Sequence, residues 1–111
     1  MEPTILLIGK NRDTLEILKN ELEKFNRTIF IANSEESITS KIYNEEIDLI
    51  VVGAGLPDEI KNKMLALIQE IAPSINLHIM ERTPGITPAS MISYTNEKAV
   101  MWRLINARPS K

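Results

Sequence analysis

Residues 48–58 read Asp48-Leu49-Ile50-Val51-Val52-Gly53-Ala54-Gly55-Leu56-Pro57-Asp58. An unbroken apolar run suits a strand covered on both faces, as in a parallel sheet, rather than one with a wet side. Gly53 and Gly55 end the run in a tight turn. Asp58 is placed to cap a helix. Ile60, Met64, Leu67, Ile68 and Ile71 then recur three or four residues apart and form one apolar stripe. Pro73 stops that helix. The stretch is therefore a strand, a turn and an amphipathic helix.

The same unit repeats on either side. Thr4-Ile5-Leu6-Leu7-Ile8 is a second continuous apolar run. Residues 9–12 break it. Asp13 is placed to cap a helix, with Glu16 as its reciprocal partner. Leu15, Leu18, Leu22 and Phe25 form its inner stripe, and Asn26-Arg27 ends it. Thr28-Ile29-Phe30-Ile31-Ala32 is a strand. Asn33 and Glu36 open a helix whose thin apolar face, Ile38 and Ile42, places it near the rim. Leu77-His78-Ile79-Met80 is a fourth strand.

The last thirty residues are less regular. Pro84-Gly85 marks a turn, and Thr87-Pro88 reads as a helix cap followed by proline at the first helical position. Two readings stay open: residues 89–94 as a short helix, or residues 91–94 as a fifth, edge strand. A final helix spans residues 96–107, with Ala99, Val100, Trp102 and Leu104 inward, and residues 108–111 form a frayed tail. Alternating strands and helices predict a single domain over 1–111. Its class is α/β, a three-layer sandwich with a parallel sheet of order 2-1-3-4, flavodoxin-like, with the fifth edge strand as an addition.

Composition narrows the function classes. The chain has 111 residues, is 43% hydrophobic and 25% charged, and carries a net charge of −2. No basic cluster supports nucleic-acid binding. No apolar run approaches the roughly 20 residues that span a bilayer, so neither nucleic acid nor membrane is expected as a partner. Without cysteine there is no disulfide and no thiolate metal site, which agrees with a cytoplasmic setting. Met1 suits a natural start.

Together, "ILLIGKN", "DLIVVGAGLPD" and "NLHIM" resemble the first, third and fourth strands of response-regulator receiver domains. The resemblance covers residues 3–80 well and 81–107 poorly. It implies an aspartate phosphoacceptor after the third strand, where this chain has Gly53. It implies an acidic pair holding Mg²⁺ where this chain has Gly9 and Lys10. It also implies a Ser or Thr near Met80 and Glu81. A fifth strand ending in Lys-Pro would place Thr95 at the lysine. Mg²⁺ takes oxygen ligands, commonly carboxylates, and phosphoryl transfer needs a nucleophile with charge neutralisation. No such set stands in the matched positions. The expectation is no metal, no cofactor and no catalytic residue.

Other candidate sites weigh less. Gly53-Ala54-Gly55 lacks the third glycine of a dinucleotide loop, because Asp58 stands there. His78, the single histidine, is a packed or edge residue rather than a base. Asp48 and Glu46 lie at the end of the sheet away from the usual site, as solvated or capping charges. Lys10, Asn11 and Arg82 could form an anion site at the strand ends, unless Glu81 or Asp58 neutralises Lys10. The segment Glu81-Arg82-Thr83-Pro84-Gly85-Ile86-Thr87-Pro88 either closes over the strand ends or presents a partner surface.

The candidate ligand or interaction site is thus Gly9, Lys10, Asn11, Gly53, Gly55, Glu81, Arg82 and Thr83. A homodimer face is expected within residues 91–105, at Met91, Tyr94, Met101 and Trp102. The leading reading is a phosphorylation-independent pseudo-receiver in signalling-type protein interaction or assembly, with an unidentified protein partner. The alternative is a small-ligand or anion-binding sensor or enzyme using the C-terminal ends of the strands.

Overall fold

The computed structural model describes residues 2–106. Its elements are β1 (Thr4–Ile8), α1 (Arg12–Glu23), β2 (Thr28–Ala32), α2 (Glu35–Asn44), β3 (Leu49–Val52), α3 (Asp58–Ile71), β4 (Asn76–Ile79) and α4 (Pro88–Asn106). The sheet is parallel throughout, in the order β2-β1-β3-β4. Central β1 and β3 are buried on both faces, as their unbroken apolar runs require.

Side-chain alternation divides the core in two. Ile5, Leu7, Ile29, Leu49 and Val51 face Leu15, Leu18 and Leu22 of α1 and Met91 and Ala99 of α4. Leu6, Ile8, Ala32, Ile50 and Val52 face Ile38 of α2 and Met64 and Ile68 of α3. The result is the expected three layers.

The helix caps differ from the sequence expectations by small shifts. The Asn11 side chain, not Asp13, caps α1 by accepting from the Thr14 amide at 3.1 Å. Ser34 and Ser37 form the reciprocal box of α2, so Asn33 and Glu36 do not. Asp58 lies within the first turn of α3, after a Pro57 that makes no side-chain cap bond. Each carboxylate remains in a first turn, where it favours the helix dipole without closing a cap. Phe25 falls beyond α1 and is exposed, as is Ile60 on α3. Asn26 turns the chain with a φ of 62°, a conformation asparagine tolerates well.

The largest correction concerns the C-terminal part. Residues 91–94 are helical, and α4 runs unbroken for 19 residues. No fifth strand forms there, so Thr95 stands inside a helix rather than at a strand end. The Thr87-Pro88 start is realised, with the Ser90 amide donating to Thr87 Oγ1 at 3.3 Å. Ala99 and Trp102 are buried as expected, but Val100 and Leu104 point outward. Ala107 and the tail at 108–111 lie outside the described residues.

Polar contacts fasten this helix and the start of the sheet. Arg27, ahead of β2, pairs with Glu2 and donates to Asn96 Oδ1 at 3.0 Å. Arg103 reaches the same Glu2 at 3.1 Å. Asp48 takes the capping role: its carboxylate accepts from the Thr4 amide, and its own amide donates to the Thr4 carbonyl, both at 2.9 Å. These contacts set the β1–β3 register from one end.

Thr95 is fully buried, and its hydroxyl finds no partner among the described residues. Burying a hydroxyl without a hydrogen bond costs about 1–3 kcal/mol. Thr95→Val keeps the shape and removes the polar atom. Urea unfolding should show this variant more stable by about 1 kcal/mol; an equal or lower midpoint contradicts the assignment.

Candidate functional site

The C-terminal ends of β1 and β3 open into a cavity of about 310 Å³. Ile8, Leu15, Leu18, Gly53, Met80 and Met91 are its buried walls, and Lys10, Asn11, Thr14, Gly55, Thr87 and Pro88 form an exposed rim. Gly9, Ala54 and Ile86 complete it. The starts of α1 and α4 both border the opening. Five of the eight expected site residues therefore meet here: Gly9, Lys10, Asn11, Gly53 and Gly55.

Glu81, Arg82 and Thr83 do not line the cavity. The Arg82 guanidinium donates to the carbonyls of Ala54 at 3.1 Å and Leu56 at 2.8 Å. It ties the β4–α4 connection to the loop after β3, instead of joining Lys10 around an anion. Beyond that tie, Ile86, Thr87 and Pro88 border the cavity along one side of its opening. Gly85 permits the turn with its φ of +83°.

Gly53 packs closely against backbone and side chain alike. Its amide donates to the Ile8 carbonyl at 2.8 Å. A Cβ placed there would stand 3.3 Å from the Ile8 oxygen and 3.4 Å from the Met91 terminal methyl. Met91 thus lies where a side chain at 53 would have to pass. Leu15 crowds Gly9 in a similar way, with its Cδ2 3.1 Å from an added Cβ.

The electrostatics are simple. Lys10 is the sole ionisable residue lining the cavity. It forms no salt bridge among the described residues, and neither Glu81 nor Asp58 neutralises it. No group of three His, Cys, Asp or Glu side chains comes together among the described residues. A cavity with one cation, no carboxylate and mostly apolar walls does not fit a magnesium ion.

A second feature lies at the far edge of the sheet. β4 has a neighbour on one side only. The Met80 amide donates to the Val52 carbonyl. Because direction alternates along a parallel strand, the backbone groups of Leu77 and Ile79 point to the open edge. Tyr94 of α4 donates its hydroxyl to the Ile79 carbonyl at 3.1 Å. Burial first, then Glu97 and Glu81, raises the Tyr94 phenol above its usual range, so it stays a donor. Burial, then the Lys98 charge, pushes the His78 imidazole on this strand below its ordinary value. His78 is thus the edge residue expected. Lys98 also lies over the Tyr94 ring, 4.9 Å from its centroid.

Of the expected dimer face, Tyr94 borders this edge and Met101 is exposed, while Met91 and Trp102 belong to the interior. The outward apolar residues of α4 are instead Val100, Met101, Leu104 and Ile105.

Solved structures with this architecture share little sequence with the chain. A response regulator receiver domain protein from Methanospirillum hungatei JF-1 superposes with a TM-score of 0.68 at 17% identity, covering 94% of this chain and 99% of that one. The fold is the receiver fold. The signal receiver domain of an HD domain-containing protein from Pseudomonas fluorescens Pf-5 gives 0.68 at 18% identity, over 96% and 100% of the two chains. An adenylate cyclase structure from Rhodopirellula baltica gives 0.70 at 13% identity, over 95% and 93%. No family model matches the chain, and no curated protein matches it in sequence.

The walls Leu15, Leu18, Met80, Ile86 and Met91 were absent from the sequence-based site. The leucines read as core, and Met91 joins the site because α4 starts over β3. The Thr87-Pro88 signal marked a helix start in the sequence but not its position over β3. Gly53→Asp forces a buried carboxylate against the Ile8 carbonyl and Met91. It should lower stability by about 2 kcal/mol in urea unfolding, and adding Met91→Ala should recover part of the loss. A single variant as stable as wild type contradicts the packing described.

Proposed function

We propose that this receiver-fold domain works in signalling-type protein interaction or assembly without being phosphorylated. The observation that carries the reading is the surface made by the open β4 edge and the outward apolar residues of α4. Leu77 offers its backbone N–H and carbonyl to another strand, and Ile79 its N–H, its carbonyl being held by Tyr94. Tyr94 and Met101 lie on the flank of α4 toward that edge. Leu104 and Ile105 are each 72% exposed, and Met101 and Val100 are 40% and 43% exposed. A contiguous apolar patch of this kind is typical of an interaction site.

A second copy of the chain is the partner we infer. An exposed edge strand is self-complementary about a two-fold axis, which pairs β4 with its own copy antiparallel and brings two α4 helices together. Light scattering at high protein concentration should give twice the monomer mass. Met101→Glu combined with Ile105→Glu should return the monomer mass. Trp102 is unsuitable for this test because it is buried. A monomeric wild type, or a dimer that survives both glutamates, removes this assembly mode.

The phosphorylation-independent part rests on the cavity. Gly53 supplies no nucleophile, and the walls supply no metal ligands. Incubation with a small acyl-phosphate donor and Mg²⁺ should leave the intact mass unchanged. A stable phosphoryl adduct mapped to residues 50–58 overturns it.

A further inference from the structure

We propose that the cavity at the strand ends binds a small monocarboxylate with an apolar body, its carboxylate at Lys10 and its body against Leu15, Leu18, Met80 and Met91. This goes beyond the assembly reading and rests on different residues, so either can fail alone.

Size sets the first limit. A volume of about 310 Å³ has room for about ten non-hydrogen atoms, at the share each water takes in the liquid. The wall chemistry sets the second. The buried lining is aliphatic and thioether, apart from the backbone of Gly53, and offers little to a polar body. Methionines at two positions suit an adaptable apolar wall. Such a concave, apolar site with a few polar groups at its mouth is the usual form of a small-molecule site.

Charge selects the ligand's other end. The rim carries the Lys10 ammonium and no acid. The starts of α1 and α4, helices of 12 and 19 residues, face the same opening and add positive potential. Asp13 lies in the first turn of α1 but does not line the cavity. One cation above an apolar chamber fits a single negative charge on an apolar body. Inorganic phosphate would meet only the rim and leave the apolar chamber unfilled, whereas a monocarboxylate with an apolar body uses both. Gly53 leaves the chamber wider, because a side chain there would touch Met91 and take up part of the space.

Methionine methyl resonances give a direct test in the full chain. Met80 and Met91 line the cavity, whereas Met64 lies in the core on the other face of the sheet and Met101 is exposed. Titration with hexanoate or benzoate should shift Met80 and Met91 saturably and leave Met64 and Met101 in place. Lys10→Gln, at an exposed position, should weaken that binding about fivefold. Hexanol should bind the wild type no better than hexanoate binds the variant, and phosphate should leave Met80 and Met91 unmoved. No shift at Met80 and Met91 with millimolar carboxylate overturns the site. Equal affinity for hexanol and hexanoate, unchanged affinity in Lys10→Gln, or saturable phosphate shifts at both methionines overturns the assigned ligand class.

Discussion

The close approach of α4 to Gly53 organises the C-terminal half of this protein. The Met91 methyl stands 3.4 Å from where a Cβ on residue 53 would be. A Cβ at residue 53 would also stand 3.3 Å from the Ile8 carbonyl oxygen, so glycine suits the start of a helix over the end of β3. Met91 then joins the core shared by α1 and the sheet. Farther along α4, Ala99 and Trp102 are buried in turn, and Arg27 and Glu2 hold the far half through Asn96 and Arg103. The glycine keeps this point uncrowded between the Ile8 carbonyl and the Met91 methyl.

Two consequences follow from one long helix in this place. The first is a strand-end chamber with thioether and aliphatic walls, bordered by Ile86 to Pro88 and held by the bonds from Arg82 to the loop after β3. The second is an open sheet edge. With the chain passing from β4 straight into the connection and α4, nothing pairs with the outer side of β4 among the described residues. Tyr94 satisfies the Ile79 carbonyl, while the Leu77 groups still face outward. Apolar surface on the neighbouring helix makes this edge a natural place for association.

Much of this was legible in the chain. The bounds of β1 and β3 follow from apolar runs, because burial on both faces leaves no polar alternation to confuse them, and the apolar Ile29 to Ala32 marks β2 although it lies at the edge of the sheet. The stripe Leu15, Leu18, Leu22 faces the core as its spacing requires. Caps were less legible: Asn11 and Ser34 compete with neighbouring Asp13 and Asn33, all good cap formers. Residues 91–94 were ambiguous because Met-Ile-Ser-Tyr fits a short strand as well as a helix turn. Tertiary packing of Met91, Thr95 and Ala99 on one helix face decides for the helix.

The sequence by itself determined the layer order, the parallel sheet and the glycine that ends β3 at residue 53. Those features depend on local apolar periodicity and on residue identity, which need no partner to be read. Only the tertiary structure decided that Arg82 clamps a loop rather than facing Lys10, that Met91 and Trp102 are interior, and that the β4 edge is open. Each depends on which distant groups a side chain or strand meets, and that is set by how the helices pack across the sheet.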